Sequence, residues 1–205
     1  YRGKITETIK KEETATIIDN GRGIPIGIHP KAGIPAVEVV FTVLHAGGKF
    51  GDGGYKISGG LHGVGASVVN ALSVWLEVEI KVDGGVYRQR YERGKAVAPL
   101  EKVGTCRKND TGTKVTFLPD GEIFEKTRFK SDAIKSRMHE TTYLNPGLTI
   151  HFEDKRSGSE EKITYSEPDG IKAYVKELNN GKEAVTDIIY FKKSEDGIEV
   201  ECAFQ

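Results

Sequence analysis

The chain has 205 residues, of which 37% are hydrophobic and 29% are charged, so it can bury a sizeable core as one large domain or two small ones. Its 30 basic residues balance its 30 acidic residues, which excludes a strong overall field that would attract nucleic acid or an anionic membrane. Cys106 and Cys202 form no C-x-x-C pair, and no apolar stretch approaches the roughly 20 residues that span a bilayer. These features predict a globular cytoplasmic protein without disulfides or zinc.

Alternating apolar residues predict strands over 4–9 and 15–19. The sequence DNGRGIP (19–25) then interrupts regular structure, because Asn-Gly favours a turn and proline cannot continue a strand ladder. Pro35 suits the first turn of a helix, which the apolar pattern predicts to continue through Ala46 and end at Gly47.

Residues 47–65, GGKFGDGGYKISGGLHGVG, contain nine glycines among nineteen residues. The next residues, ASVVNALSVWL, predict a helix, since their apolar positions recur at helical spacing: Val68, Val69, Leu72, Trp75 and Leu76. Glycines that present bare backbone N–H groups at a helix start can bind phosphate. The alternative is a flexible surface loop before an ordinary core helix.

The rest of the chain is predominantly strands with two further helices. A hairpin is predicted around Asp83-Gly84-Gly85 and a helix over 131–144, with Ser131 or Asp132 as its cap. The predicted strands are 76–82, 86–92, one in the nineties, 113–119, 148–154, 161–167, 186–192 and 198–204, with another helix over 168–179. Because helices do not alternate strictly with strands, the pattern predicts an α+β fold with one mixed, mainly antiparallel sheet and helices on one face.

The glycine-rich stretch matches neither of two common phosphate-binding motifs. Gly48-Lys49 is followed by Phe50 rather than by the serine or threonine of a Walker A motif, and G-x-G-x-x-G does not occur. What occurs instead is GLHGVG over 60–65, running directly into the predicted helix. Lys49 is a candidate phosphate contact.

Asp19 ends an apolar strand, so its carboxylate is predicted to lie at the rim of the core. A carboxylate only accepts hydrogen bonds and would suit the amino group of adenine, while Gly21 and Gly23 would let a flat ring approach the backbone. A Thr113 hydroxyl could supplement this contact. The alternative is an ordinary Asp-Asn-Gly turn. No hydrolytic motif such as H-E-x-x-H or G-x-S-x-G is present.

Three segments in order, DNGRGIP, TVLHAGGKF and GGLHGVGASVVNALS, closely resemble the ATPase domain of DNA gyrase B, and the near alternative is the B subunit of topoisomerase IV. Hsp90 chaperones, MutL proteins and histidine kinases share only the short D-x-G-x-G and a glycine-rich lid. The combination of LHAGGKF and SGGLHGVG is typical of type IIA topoisomerases. The resemblance implies the Bergerat (GHKL) ATP-binding fold, a two-layer α/β sandwich, as a single domain over 1–205.

The resemblance also implies an ATP site. Asp19 would hold the adenine amino group, helped through water by Thr113 and Gly23. The pocket lining would be Ile24, Pro25 and Val40, the lid would contribute Lys49 and Tyr55, and the phosphates would be wrapped by Gly60, Leu61, His62, Gly63, Val64 and Gly65. Aminocoumarin inhibitors of the family would meet Asp19, Arg22, Pro25 and Thr113.

The catalytic residues of the family are a glutamate base and, four residues later, an asparagine that binds magnesium. No E-x-x-x-N occurs in this sequence, and we expect both residues on a helix upstream of Tyr1. We expect the chain to be a fragment, lacking that helix and the downstream transducer domain, and not to hydrolyse ATP alone.

For the parent enzyme, the resemblance implies a DNA topoisomerase that uses ATP and magnesium, acts with DNA and the gyrase A subunit, and homodimerises when ATP binds. The alternatives are a topoisomerase IV protein that decatenates DNA, or a non-catalytic module that uses the nucleotide as a switch.

Overall fold

The computed structural model describes residues 3–45 and 62–205. The chain divides into two compact units. The larger contains Thr6–Phe129 and Glu153–Glu161, and the smaller contains the N-terminal residues up to Ile5, Lys130–Phe152 and Lys162–Gln205. In the described ranges, no helix is long and apolar enough to cross a membrane.

The larger unit combines a sheet with two short helices. Its strands, including β1, which begins in the smaller unit, have the order β5-β4-β3-β7-β2-β1, and β6 also pairs with β4. The elements are β1 (Lys4–Ile9), β2 (Ala15–Asp19), α1 (Ala36–Thr42), α2 (Gly65–Ala71), β3 (Ser73–Val82), β4 (Gly85–Glu92), β5 (Lys95–Ala96), β6 (Glu101–Thr105) and β7 (Gly112–Pro119). β7 pairs antiparallel with both β2 and β3, and so lies between them.

The core of the larger unit forms where α1 packs on the sheet. Alternate residues of β3 face the helix and are fully buried, as the two-residue period of a strand requires: Leu76, Val78 and Ile80. Phe41 of α1 contacts Tyr91 of β4, with ring centroids 5.6 Å apart. Burial of each such side chain contributes about 1.5–3 kcal/mol, so this cluster fixes α1 against the sheet.

The smaller unit contains two helices and two strand pairs. Its elements are α3 (Ser131–Leu144), β8 (Thr149–Asp154), β9 (Glu161–Ser166), α4 (Ile171–Leu178), β10 (Ile189–Glu195) and β11 (Ile198–Phe204). The end of β8 and the first residue of β9 belong to the larger unit. β8 neighbours β9, whereas β10 and β11 form a separate antiparallel pair. The Tyr143 and Tyr174 rings stack with centroids 4.9 Å apart and join α3 to α4.

The strand pairing is mixed but mainly antiparallel. The backbone N–H of Thr149 donates to the Gly3 carbonyl over 2.9 Å, and that of Lys155 donates to the Ile9 carbonyl over 2.8 Å. Residue numbers rise together along both segments, so β1 and β8 run parallel. The predicted α+β class is therefore confirmed.

Two predicted helices are shorter than expected. α2 ends at Ala71, and Trp75 lies in β3 instead of continuing the helix. The prediction was wrong here because Leu76 fits a helical period after α2 and an alternating period within β3. Similarly, α1 ends at Thr42, and Val43 is already extended (φ −111°, ψ 128°).

The predicted cap of the 131–144 helix was also wrong. Its N-cap is Lys130, which makes no capping hydrogen bond with its side chain. Ser131 and Asp132 are the first two residues of the helix instead.

Candidate nucleotide-binding site

Asp19 lies at the last position of β2, where the strand gives way to the DNGRGIP turn. The backbone N–H of Gly21 donates to Asp19 Oδ1 over 2.7 Å, which fixes the carboxylate as an Asx turn does. Among the described residues, Asp19 Oδ2 has no hydrogen-bond donor. The turn predicted from the sequence is present, and it leaves one carboxylate oxygen available to a ligand donor.

Thr113 lies directly across from Asp19. The two residues are partners in the antiparallel register of β2 and β7. Thr113 is 7% exposed, so its hydroxyl lies at the edge of the core rather than in open solvent. The structure thus brings together two predicted site residues that are 94 positions apart in the sequence.

Gly112 makes this approach possible. A Cβ added at Gly112 would lie 2.1 Å from the Asp19 carbonyl oxygen, and the φ of Gly112 is +154°. Any residue with a Cβ would clash there, so this position requires glycine. Gly112 was not predicted as a site residue, because its closeness to Asp19 depends on a strand register that no local pattern encodes.

Gly23, which follows Asp19 in the same turn, also lies close to Gly112. Its φ is +80°, and an added Cβ would lie 2.8 Å from the Lys81 carbonyl oxygen and 3.5 Å from that of Gly112. Ile24 and Val40 are half-buried and pack against the core cluster under α1. Pro25 and Arg22 are exposed.

The end of the glycine-rich stretch leads into α2. Gly63 has a φ of +63°, and Val64 is the N-cap of the helix. The Ser67 hydroxyl donates to the Val64 carbonyl over 3.0 Å, and the His45 ring contacts the His62 carbonyl. His62 and Gly65 are exposed. Four other predicted site residues, Lys49, Tyr55, Gly60 and Leu61, lie outside the described residues.

The described part of the chain holds no group of three or more His, Cys, Asp or Glu side chains that could bind a metal ion. A cavity of about 690 Å³ in the smaller unit, lined by both lysines and carboxylates, contains none of the predicted site residues.

Residues 1–123 match the family described as histidine kinase-, DNA gyrase B- and HSP90-like ATPases. The B subunit of DNA topoisomerase 4 from Streptococcus pneumoniae is 52% identical over all of this chain and 31% of its own length. The B subunit of DNA gyrase from Thermotoga maritima is 53% identical over all of this chain and 33% of its own length.

Solved structures show the same fold. The 43K ATPase domain of Thermus thermophilus gyrase B, in complex with an aminocoumarin, has a TM-score of 0.82 and 35% identity, covering 98% of this chain and 50% of that one. The topoisomerase IV ATP-binding domain of Francisella tularensis, in complex with a small-molecule inhibitor, has a TM-score of 0.77 and 31% identity, covering 97% and 51%.

The chain spans about a third of the length of the curated relatives it matches. The family match covers more than half of the chain and includes Asp19, Gly23, Thr113 and the glycine-rich stretch. This chain therefore belongs to the histidine kinase-, DNA gyrase B- and HSP90-like ATPase family, as an ATPase domain of the kind found in the B subunits of type IIA DNA topoisomerases.

Proposed function

We propose that this chain is the ATP-binding domain of a DNA gyrase B protein, in which ATP capture closes a dimer gate and hydrolysis drives DNA supercoiling. The observation that carries the proposal is the arrangement of Asp19, whose Oδ1 is held by the Gly21 N–H at 2.7 Å while Thr113 lies opposite. A carboxylate fixed at one oxygen and open at the other suits the adenine N6 amino group.

In this proposal, the walls of the adenine site come from the larger unit. Gly112 keeps the backbone free of a side chain beside the Asp19 carbonyl oxygen, and Gly23 does the same beside the carbonyl oxygens of Lys81 and Gly112. Ile24 and Val40 offer apolar surface for the ring, and their packing against the core cluster holds them in position. Water bridging Thr113 and Gly23 would complete the contacts to adenine.

The phosphates would be held by backbone N–H groups of the glycine-rich stretch: Gly60, Leu61, His62, Gly63, Val64 and Gly65. Lys49 and Tyr55 would contribute from the lid. The sequence supports this assignment through the GLHGVG run and its spacing from DNGRGIP, as in the family.

Magnesium would neutralise charge on the triphosphate when it is bound. The residues of this chain are assigned no part in holding it, because the family gives that role to the asparagine of an E-x-x-x-N pattern that does not occur in this sequence. The glutamate base and asparagine ligand of the family have no counterpart among these 205 residues, because no E-x-x-x-N occurs in them.

The partners are proposals for the whole protein. A gyrase B protein would act in the cytoplasm with DNA and the gyrase A subunit, and would dimerise on binding ATP. Aminocoumarins would compete with ATP by contacting Asp19, Arg22, Pro25 and Thr113. The Thermus thermophilus relative, solved with such an inhibitor at 35% identity, supports this expectation.

The B subunit of topoisomerase IV is the second candidate. Relatives of that kind reach 52–53% identity, equal to that of the Thermotoga maritima gyrase protein. Assays of the full-length protein with its A subunit distinguish the two: supercoiling of relaxed plasmid supports gyrase, whereas decatenation without supercoiling supports topoisomerase IV. A full-length protein that binds ATP but never hydrolyses it would indicate a nucleotide-dependent switch.

The proposal is tested by the Asp19→Asn variant of the full-length protein, titrated calorimetrically with a non-hydrolysable ATP analogue. Losing a hydrogen bond to a charged group should weaken binding about 10- to 100-fold. Asp132→Asn is the matched control, because the Asp132 side chain is 97% exposed on α3. Equal affinity of Asp19→Asn and wild type would refute the proposed adenine contact.

A further inference from the structure

We propose that His45 is a positioning residue, whose imidazole holds the backbone of His62, Gly63, Val64 and Gly65 in the conformation that receives the triphosphate. This inference rests on the proposed function, which assigns those four residues to the phosphates. The His45 side chain itself makes no contact with the nucleotide in the proposed function.

The central contact joins two residues 17 positions apart. His45 Nδ1 lies 2.9 Å from the His62 carbonyl oxygen. A carbonyl oxygen only accepts, so Nδ1 must carry the hydrogen, and the neutral ring is the Nδ1–H tautomer. Protonated histidine also donates from Nδ1.

The backbone of His45 is held in an uncommon conformation. Its φ is +61°, in the left-handed region that is uncommon for residues other than glycine, although asparagine, aspartate and histidine adopt it more often than the rest. Such a conformation persists where surrounding contacts compensate for its cost. The bond to His62 is a contact of this kind, and it directs the ring back towards the residues before α2.

A second hydrogen bond holds α1 and α2 together, and the His45–His62 contact depends on the positions of these two helices. Asn70 of α2 is fully buried, and its Nδ2 donates to the Phe41 carbonyl in the last turn of α1 over 2.9 Å. This bond ties α1 to α2 beneath the surface. The exposed His45 contact then sets the path of the chain between His62 and Gly65.

The adenine end of the site is held by different contacts. Asp19 is fixed by the Gly21 N–H and by the register of β2 with β7, neither of which involves His45. Loss of the His45 bond should therefore weaken binding of the triphosphate without weakening binding of the base. Loss of folding would weaken both.

Three substitutions separate the imidazole from the backbone. His45→Asn keeps a donor near the position of Nδ1 and tolerates positive φ, so it should retain function. His45→Ala and His45→Gly both remove the donor, but alanine disfavours positive φ whereas glycine allows it. A loss common to alanine and glycine therefore comes from the missing donor rather than from backbone preference.

The experiment measures binding of a non-hydrolysable ATP analogue and of adenosine to the full-length protein, by displacement of a fluorescent nucleotide. His45→Ala and His45→Gly should bind the analogue about 3- to 10-fold more weakly, as expected for one hydrogen bond, and bind adenosine within about 2-fold of wild type. His45→Asn should bind both ligands as wild type does.

Three results would overturn the inference: unchanged analogue binding in the alanine and glycine variants, an equal loss in His45→Asn, or parallel loss of adenosine and analogue. Asp19→Asn is measured alongside to separate this inference from the proposed function. If Asp19→Asn binds normally, or if wild type binds neither ligand, the proposed function fails and the inference with it. If Asp19→Asn binds weakly while every His45 variant binds normally, only the His45 inference fails.

Discussion

Asp19 shows how one side chain can be both part of a turn and open to a ligand. Its Oδ1 accepts the Gly21 N–H within the turn. The ordinary Asp-Asn-Gly turn and the adenine contact were alternatives in the sequence, yet a carboxylate has two oxygens and both interpretations are compatible. The turn fixes the direction in which the second oxygen points.

Gly112→Ala should disturb the site without altering any group that contacts adenine. A Cβ at this position would lie 2.1 Å from the Asp19 carbonyl oxygen, so β2 and β7 must separate there. We expect a loss of stability of about 1–3 kcal/mol and weaker nucleotide binding, checked by urea unfolding and calorimetry.

Gly104→Ala is the control, because its Cβ would meet Val86 at an ordinary 3.8 Å. Gly104 also lies in a strand and has no positive φ. If Gly112→Ala is as stable as Gly104→Ala and binds nucleotide equally well, the close approach of Gly112 to Asp19 contributes to neither stability nor binding.

Local patterns predicted Asp19 and Thr113 as site residues, since each lies at a strand end beside turn residues. They could not predict that these residues face each other, because the pairing of β2 with β7 joins positions far apart in the chain. The steric role of Gly112 follows only from that pairing. The His45–His62 contact was missed for the same reason, as it depends on how α1 and α2 pack.

Strand β1 carries a carboxylate in an apolar setting. Glu7 shares a strand face with Ile5 and Ile9, and Ile9 is fully buried. Burial disfavours the charged form and raises the pKa of Glu7 from 4.5 to about 7. Between pH 4.5 and about 7, Glu7 therefore keeps its proton in the folded state, whereas it has released that proton in the unfolded state.

The contribution of Glu7 to stability should be fully present below pH 4.5 and lost as the pH rises through about 7. Glu7→Gln should remove this dependence. Urea unfolding should show the variant about 1–3 kcal/mol more stable than wild type at pH 8 and similar to it at pH 4. Glu183→Gln, on an exposed loop, should show no such change, and an equal shift in both variants would contradict the burial of Glu7.

The end of α2 marks the limit of prediction from periodicity. Val68, Val69 and Leu72 fit a helix, and Leu76 continues that period by coincidence. The alternation of Leu76, Val78 and Ile80 also fits a strand, and burial of all three against α1 decides the outcome. The change from helix to strand occurs where the Ser73 hydroxyl donates to the Val69 carbonyl over 2.7 Å.

Across the larger unit, Arg156 connects three distant segments. It is 4% exposed and donates to Asp154 Oδ2 over 2.7 Å, to Glu13 Oε2 over 2.9 Å and to the Phe129 carbonyl over 2.8 Å. Asp154 has a fully buried side chain. Removing the guanidinium would abolish the ion pair that this buried carboxylate makes with Arg156.

Arg156→Met should therefore destabilise the protein by about 3–5 kcal/mol in urea unfolding. Adding Asp154→Leu should restore part of the loss, because the double variant no longer buries the charge. Arg137→Met is the control, since the Arg137 side chain is 71% exposed. A loss no greater than that of Arg137→Met would show that the Arg156 network contributes little.

At the scale of the whole molecule, the α+β class could be predicted because strands outnumber helices and do not alternate with them. The bounds of three elements were also predicted correctly from the sequence: β1, β2 and α3. The division into two compact units was not, since it follows from long-range packing and not from any linker-like segment.

The central claim is that Asp19 recognises the amino group of adenine, and exchange of the base tests it most directly. Inosine triphosphate has a carbonyl oxygen in place of that amino group, so the Asp19 carboxylate would face an acceptor. We predict that the full-length protein binds ATP at least about 10-fold more tightly than inosine triphosphate, and that Asp19→Asn abolishes most of this preference by weakening ATP binding. Equal affinity of wild type for both nucleotides, or an undiminished preference in Asp19→Asn, would contradict the account.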